Sequence, residues 1–338
     1  MRPKINVVWM LHRRPVLINA ILKIFSLCDT SKFHLSIMGC EVPVRAHIDW
    51  KKLEREAKAL GINATVMLVP RGKYDGSNYM KKIDLAKTLP YEYTIKYDED
   101  VLMGPQAWNY LFQAVNMLDD KDLALFPALS NGIPTVDFFI EHNLNSNQRA
   151  RIKTLMSNAK IPDGIWGVDV SGINDLLSNS GYDRTTFYAE VSKIRHHYKG
   201  INPIRSDWAT QKYMNDVVIE NFDMFFENRN FETKRIIKPY FCNSFFAIRT
   251  KRWKEALDDM SLYKDSFDEV PLNLYREREG LYNLVVVNTF AIHCQYNTLF
   301  CKWLYPDEKE SVERRDWLRS YENDFWQEIS DKLENRYG

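Results

Sequence analysis

The stretch with the clearest capacity for chemistry is Lys96-Tyr97-Asp98-Glu99-Asp100-Val101-Leu102. Three acidic residues follow a run, residues 93–97, that reads as a buried strand. In an extended chain alternate side chains share a face, so Asp98 and Asp100 are expected on one side and Glu99 on the other. Two carboxylates on one side offer oxygen ligands to a hard divalent cation, Mn²⁺ or Mg²⁺. A cation held there can bridge a diphosphate and neutralise charge on a leaving phosphate. The competing reading of the triplet is a solvated acidic turn. Its placement at the end of a strand favours the chemical one.

The elements that would position it alternate regularly. Residues 5–10, 33–38, 65–69 and 93–97 read as strands. Residues 15–27, 49–60 and 77–89 read as helices, with Pro15 suited to a start, Gly61 to a C-cap, and Ser77 or Asn78 to a cap. A βαβαβαβ order predicts an α/β fold with a doubly wound, mostly parallel sheet and helices on both faces. Such sheets bind ligands beyond the carboxyl ends of their strands, so chemistry is expected in the loops after the first, third and fourth strands. No Gly-x-Gly-x-x-Gly follows the first strand, and no phosphate-binding lysine loop is present.

Beyond this half the pattern loosens. A helix is expected over 105–118, a strand over 123–127 and a turn at 131–134. Residues 140–235 are polar and read as mostly helical. Strands return at 240–248 and 283–292, with a helix at 252–257, and the tail from Pro306 is charged, aromatic and helical. The expected organisation is an α/β half over 1–130, a helical insertion or lobe over 131–239, a second half completing the sheet over 240–305, and a helical tail over 306–338.

Composition sets outer bounds. The 338 residues carry 46 basic and 45 acidic side chains, net +1, without the basic excess of a dedicated nucleic-acid binder. The five cysteines (Cys28, Cys40, Cys242, Cys294, Cys301) show no CxxC spacing, and they read as reduced thiols in a cytoplasmic protein. No run approaches the ~18 apolar residues of a membrane span. The short apolar run after Met1 reads as a first strand rather than a secretory leader.

The strand series, the opening Val7-Val8-Trp9-Met10-Leu11-His12-Arg13-Arg14-Pro15, the helix with Lys82, Asp84 and Ala86, the strand Tyr93-Thr94-Ile95-Lys96-Tyr97 and the Asp98-Glu99-Asp100 triplet together resemble the GT-A glycosyltransferase superfamily. The resemblance covers residues 4–130 well and 240–300 in patches. It implies transfer of a sugar from a nucleotide-diphosphate sugar, with a UDP-sugar favoured, to a glycan or other hydroxyl acceptor. It implies Asp100 as a ligand of Mn²⁺ or Mg²⁺, Asp98 near the donor ribose and metal, and His293 as a third metal ligand. His12, Arg13 and Arg14 would lie against the nucleotide, with an Arg on phosphate oxygens. Asp75 would contact base or ribose, and Lys82 or Lys81 would face the diphosphate. Asp268 and Glu269, Glu269 preferred, would supply the acceptor-activating base of an inverting enzyme. Asn243 and Ser244 would line the acceptor side, with Asp207 a rival carboxylate and Trp208 available to stack a sugar.

Each assignment has a plainer counterpart. His12 to Arg14 can be a basic turn, Asp75 part of a surface loop, and Lys82 a solvent-facing helical lysine. Asp268 and Glu269 can simply favour a helix N-terminus that opens at Pro271. Asp207 can be an N-cap, His293 a hydrogen-bonded structural histidine, and Asn243 and Ser244 a bulge. His196 and His197, as neighbours, face opposite ways and make a poor chelate. The competing functions are a sugar nucleotidyltransferase, for which the glycine-rich first loop is missing, and a non-catalytic GT-A-like binding protein. The aromatic tail (Trp303, Trp317, Tyr321, Phe325, Trp326) reads as packing, with docking to a partner or a membrane surface as the other possibility.

Overall fold

The computed structural model describes residues 3–11, 15–41, 48–72, 75–132, 135–159, 204, 207–236, 241, 243–259, 269–293 and 307–337. Nine strands form one sheet: β1 (Ile5–Met10), β2 (Phe33–Cys40), β3 (Ala64–Val69), β4 (Tyr93–Asp98), β5 (Val101–Met103), β6 (Asp122–Leu129), β7 (Thr233–Ile236), β8 (Phe245–Arg249) and β9 (Tyr282–His293). Among the described residues the α-helices are α1 (Ile18–Ser26), α2 (Trp50–Ala59), α3 (Asp75–Ala86), α4 (Pro105–Ala114), α5 (Val136–Asn143), α6 (Ser146–Asn158), α7 (Trp208–Glu220), α8 (Thr250–Asp259), α9 (Glu269–Arg278) and α10 (Glu308–Tyr337).

The strand order is β3-β2-β1-β4-β8-β6-β9-β5, and β7 pairs β9. β3, β2, β1 and β4 are mutually parallel, and β6 is parallel to β9. β8 runs antiparallel between β4 and β6, while β5 and β7 run antiparallel to β9. Six strands therefore point one way and three the other, the mixed, mostly parallel sheet expected. Parallel neighbours require crossovers, and α1, α2 and α3 supply them.

Local chemistry explains the first half. β1, Ile-Asn-Val-Val-Trp-Met, is buried along its whole length, as a central strand covered on both faces must be. Asp49 caps α2 by accepting from the Lys52 amide at 2.9 Å, and Gly61 follows that helix with φ of 76°. α1 turns Ala20, Ile21, Leu22, Ile24 and Phe25 inward. Each large side chain so buried stabilises the fold by roughly 1.5–3 kcal/mol. Two apolar cores result. One, under α1, α4, α5, α7 and α10, contains Trp9, Phe25, Tyr97, Trp108 and Phe245. The other, under α3, α8 and α9, contains Phe126, Phe246 and Trp253.

Several expected boundaries shift. The first helix opens with a 3₁₀ turn, Pro15–Leu17. α3 begins at Asp75, so Ser77 and Asn78 lie inside it and are not its caps. The strand expected over 240–248 starts only at Phe245, because residues 243–244 bend at the sheet edge. α9 begins at Glu269 and not at Pro271. β7 lies in a stretch read as helical, and three-residue β5 is a strand the local pattern did not reveal.

One close approach is glycine-dependent. A Cβ on Gly104 would lie 1.8 Å from the backbone carbonyl oxygen of Phe225. Backbone cannot swing aside as a side chain can, so Gly104→Ala is expected to destabilise the protein by roughly 3 kcal/mol, the upper range for overpacking. Urea unfolding of the purified variant measures this, and a change under 0.5 kcal/mol would contradict the contact.

Candidate functional site

The carboxyl ends of the parallel strands gather the polar groups singled out in the sequence. β4 ends at Asp98, and Glu99-Asp100 forms a turn into β5. β9 ends at His293, whose register partner on β5 is Val101. β6 runs out into Ser130 and Asn131, while antiparallel β8 starts from Asn243 and Ser244 on the same edge. The Asp98 amide donates to the Ser244 carbonyl at 2.9 Å, which fastens the start of β8 beside the acidic turn.

Asp100 and His293 are brought together. Asp100 Oδ1 lies 3.7 Å from His293 Nε2, with side-chain exposures of 9% and 1%. The imidazole is held from behind. Its Nδ1 lies 3.2 Å from the Asn131 carbonyl oxygen, and its backbone amide donates to Ser130 Oγ at 3.0 Å. A carbonyl only accepts, so Nδ1 carries a proton, and in the neutral ring Nε2 presents its lone pair toward Asp100. This oxygen–nitrogen donor set suits Mn²⁺, and a hard cation completes its shell with phosphate oxygens and water. Asp100 and His293 thus offer two donors of the kind such a cation takes. Among the described residues, no group of three or more His, Cys, Asp or Glu side chains is placed to hold a metal ion.

Asp98 belongs to a second constellation. Extended alternation stops at Asp98, because the chain turns at Glu99 and Asp100. Asp98 keeps the face of Lys96, two residues back, and Lys96 Nζ lies 2.7 Å from Asp98 Oδ1. The Lys96 side chain is fully buried, and that of Asp98 is 28% exposed. Lys96 also donates to the Asn243 carbonyl at 2.5 Å and lies 5.0 Å above the Tyr79 ring. Asn243 Nδ2 donates to Tyr79 Oη at 3.1 Å, and its amide donates to Glu269 Oε2 at 3.2 Å. Asn273 secures this side, exchanging bonds with the Phe241 backbone and donating to the Glu269 carbonyl. Lys82 is buried, and its Nζ donates to the Leu11 carbonyl at 2.8 Å, at the end of β1.

The remaining sequence candidates divide clearly. Glu269 is buried at the first turn of α9. Lys81 Nζ reaches only the Pro70 carbonyl, at 3.1 Å. Asp207 is the N-cap of α7, accepting from the Thr210 amide and hydroxyl at 2.9 and 2.7 Å. Trp208 packs against Trp317 and Tyr321 of α10. His12, Arg13, Arg14, His196, His197 and Asp268 lie outside the described residues, as does the side chain of Asp75. Among the cysteines, Cys28 and Cys40 are buried free thiols, and desolvation pushes the Cys28 thiol up to about 12. Cys242, Cys294 and Cys301 lie outside the described residues.

Sequence reasoning left out Lys96 as a site group, and also Tyr79, Ser130, Asn131 and Asn273. For Lys96 a signal existed: a lysine at an inward position of a strand otherwise made of apolar and aromatic residues. For the others there was none, since each meets a partner at least 32 positions away in sequence, Tyr79 with Asn243, Ser130 and Asn131 with His293, and Asn273 with Phe241.

No protein-family model and no curated protein matches the chain. Solved structures with a similar chain path include CMP:2-keto-3-deoxy-manno-octonic acid synthetase complexed with CTP, at 10% identity, covering 83% of this chain and 88% of that one, with a TM-score of 0.36. Also similar is TarS 1–349 of S. aureus, at 10% identity over 82% of this chain and 92% of that one, TM-score 0.34. The same protein in complex with UDP-GlcNAc aligns with a TM-score of 0.33. These are likenesses of chain path, and the chemistry rests on the residues just described. Among those residues no helix is long and apolar enough to cross a membrane.

Proposed function

We propose that the protein is a metal-dependent glycosyltransferase that moves a sugar from a nucleotide-diphosphate sugar, a UDP-sugar favoured, to a glycan or other hydroxyl acceptor. The observation that carries this reading is the Asp100–His293 pair, backed by Asn131, at the carboxyl edge of a doubly wound sheet. Asp100 and His293 are the residues to hold Mn²⁺ or Mg²⁺, with Asp98 beside them. A bound divalent cation would stabilise the departing nucleoside diphosphate. The chain's own groups do the rest. Lys96, 2.7 Å from Asp98, orients that carboxylate. Lys82, buried at the end of β1, adds positive charge where the donor phosphates would lie. His12, Arg13, Arg14 and Asp75 are proposed for the nucleotide, and Asn243 and Ser244 for the acceptor side.

The inverting course rests on Glu269, or Asp268, as the base that removes the acceptor proton. The bond from the Asn243 amide to Glu269 also supports a role in holding the 243–244 bend. The anomeric configuration of the product, read by NMR, separates these roles. Inversion supports the base, and retention leaves Glu269 as a holder of the bend.

The reading is tested by thermal unfolding with UDP, GDP, CDP and dTDP, each with and without Mn²⁺. A nucleotide at about a hundred times its Kd adds roughly 2.7 kcal/mol, about 4 °C for a chain of 338 residues. One nucleotide that raises the midpoint only with Mn²⁺ is the expected result. A nucleoside triphosphate preferred over every diphosphate would favour the nucleotidyltransferase. No shift with any nucleotide would remove the donor site.

A further inference from the structure

We infer that the exposed part of Trp317, buttressed by Trp208 and Tyr321, is a stacking platform for an uncharged saccharide, standing beyond the carboxyl edge of the sheet, where the proposed donor site lies. The inference rests on the glycosyltransferase reading only for the identity of that saccharide as acceptor. Binding itself is tested separately.

Placement comes from the run of α10. Ser330 Oγ donates to the Val16 carbonyl at 3.3 Å, next to the carboxyl end of β1. Further on, Leu333 and Tyr337 line a groove with Asn19 and Lys23, so α10 descends alongside α1 toward the amino edge of the sheet. Its earlier residues must therefore rise beyond the carboxyl edge. Trp317 lies thirteen residues before Ser330, about 20 Å of helix.

The three rings form one assembly. Trp208 and Trp317 have centroids 4.3 Å apart, Trp208 and Tyr321 4.7 Å, and Trp317 and Tyr321 6.3 Å. Contacts with the Trp208 and Tyr321 rings hold Trp317 while 45% of it stays exposed. A large aromatic held in place, nearly half exposed and with charged neighbours on its helix, is what the apolar C–H face of a sugar ring stacks upon, its hydroxyls remaining in water.

Area and charge argue against a second copy of the chain and against an anionic membrane. Trp317 exposes roughly 100 Å² of a side chain that can bury 150–250 Å², and Val312, 37% exposed, is the other large apolar group open on this half of the helix. A stable dimer needs about 800 Å² per partner. Residues 308–322 carry five acids against four bases, partly paired as Arg315–Asp316, Arg319–Asp316 and Lys309–Glu313. An anionic membrane would call for a basic surplus. One sugar ring, neutral and small, fits both quantities.

The test uses the full chain with fluorotryptophan incorporated, titrated with maltohexaose, mannohexaose and chitohexaose to about 10 mM, an affinity range that a single stacking contact can reach. The expected result is a shift of the Trp317 fluorine resonance with at least one oligosaccharide, at least tenfold weaker binding by calorimetry in Trp317→Ala, and partial recovery in Trp317→Phe. The unfolding midpoint of each variant without ligand reports that it is folded. Absence of binding to all three sugars, or equal affinity in Trp317→Ala, overturns the inference. So does a sedimenting dimer, or binding to phosphatidylserine vesicles, that Trp317→Ala abolishes. No nucleotide or metal enters these measurements, so their failure leaves the donor-site reading standing, and failure of the donor site leaves this one standing.

Discussion

Asp100→Asn is expected to erase the Mn²⁺-dependent part of nucleotide stabilisation, from about 4 °C to under 1 °C, and to lower sugar transfer at least a hundredfold. The substitution is nearly isosteric and removes one charge from a side chain 9% exposed. An amide oxygen is a weaker ligand than a carboxylate and leaves the cation's charge unmatched. If charge stabilisation of the leaving diphosphate supplies several kcal/mol, losing half of it slows the reaction by a hundredfold or more, since ~1.4 kcal/mol is a factor of ten. His293→Gln should weaken the response less, because imidazole contributes a neutral donor. Thermal scans with UDP and Mn²⁺ give the first number, and release of UDP in the presence of acceptor gives the second. An unliganded midpoint within about 2 °C of wild type would show the effect to be local. A full nucleotide response in Asp100→Asn would mean that the cation is held elsewhere.

Lys96→Met is expected to destabilise the protein by roughly 2–3 kcal/mol, a midpoint drop of about 4 °C for 338 residues. Methionine preserves length and most of the volume but removes the ammonium that faces Asp98 at 2.7 Å and the Asn243 carbonyl at 2.5 Å. Breaking a buried pair by removing one partner strands the other. That penalty reaches ~3–5 kcal/mol when both are buried, and it is set lower here because the Asp98 side chain is 28% exposed and water can reach it. Lys96→Met/Asp98→Asn should recover at least half of the loss, since a neutral amide needs no counter-charge. Urea titrations of the four proteins give the coupling energy directly. If the single variant lost less than 0.5 kcal/mol, Asp98 would be solvated in the free protein and Lys96 would not be its holder.

These two residues show how the site divides between what a sequence carries and what it does not. Asp100 was legible because its environment follows from local pattern. Buried runs of β-branched and aromatic residues mark β1 to β4, Asp49 and Gly61 punctuate α2, and alternation of strand and helix makes the parallel order of the first half nearly unavoidable. Ligand sites then fall beyond the carboxyl ends of strands. Asp207 was legible in its plainer form, as a cap, because capping is decided within four residues.

What tertiary structure decided is the company each group keeps. β8 inserts antiparallel between β4 and β6, pairing Tyr97 with Phe245 across most of the chain's middle. That insertion, and not any local signal, carries Asn243 to Lys96 and Glu269 to Asn243. Strand alternation predicts Asp98 and Asp100 on one side, but it does not predict that Lys96 faces the one and His293 the other. The His293 ring is held by the Asn131 carbonyl, 162 positions away, and Trp317 by Trp208. Hydrophobic period and capping act over a few residues and so are written locally. Pairing across a sheet edge depends on which strands become neighbours, and that is settled only when both cores close at once.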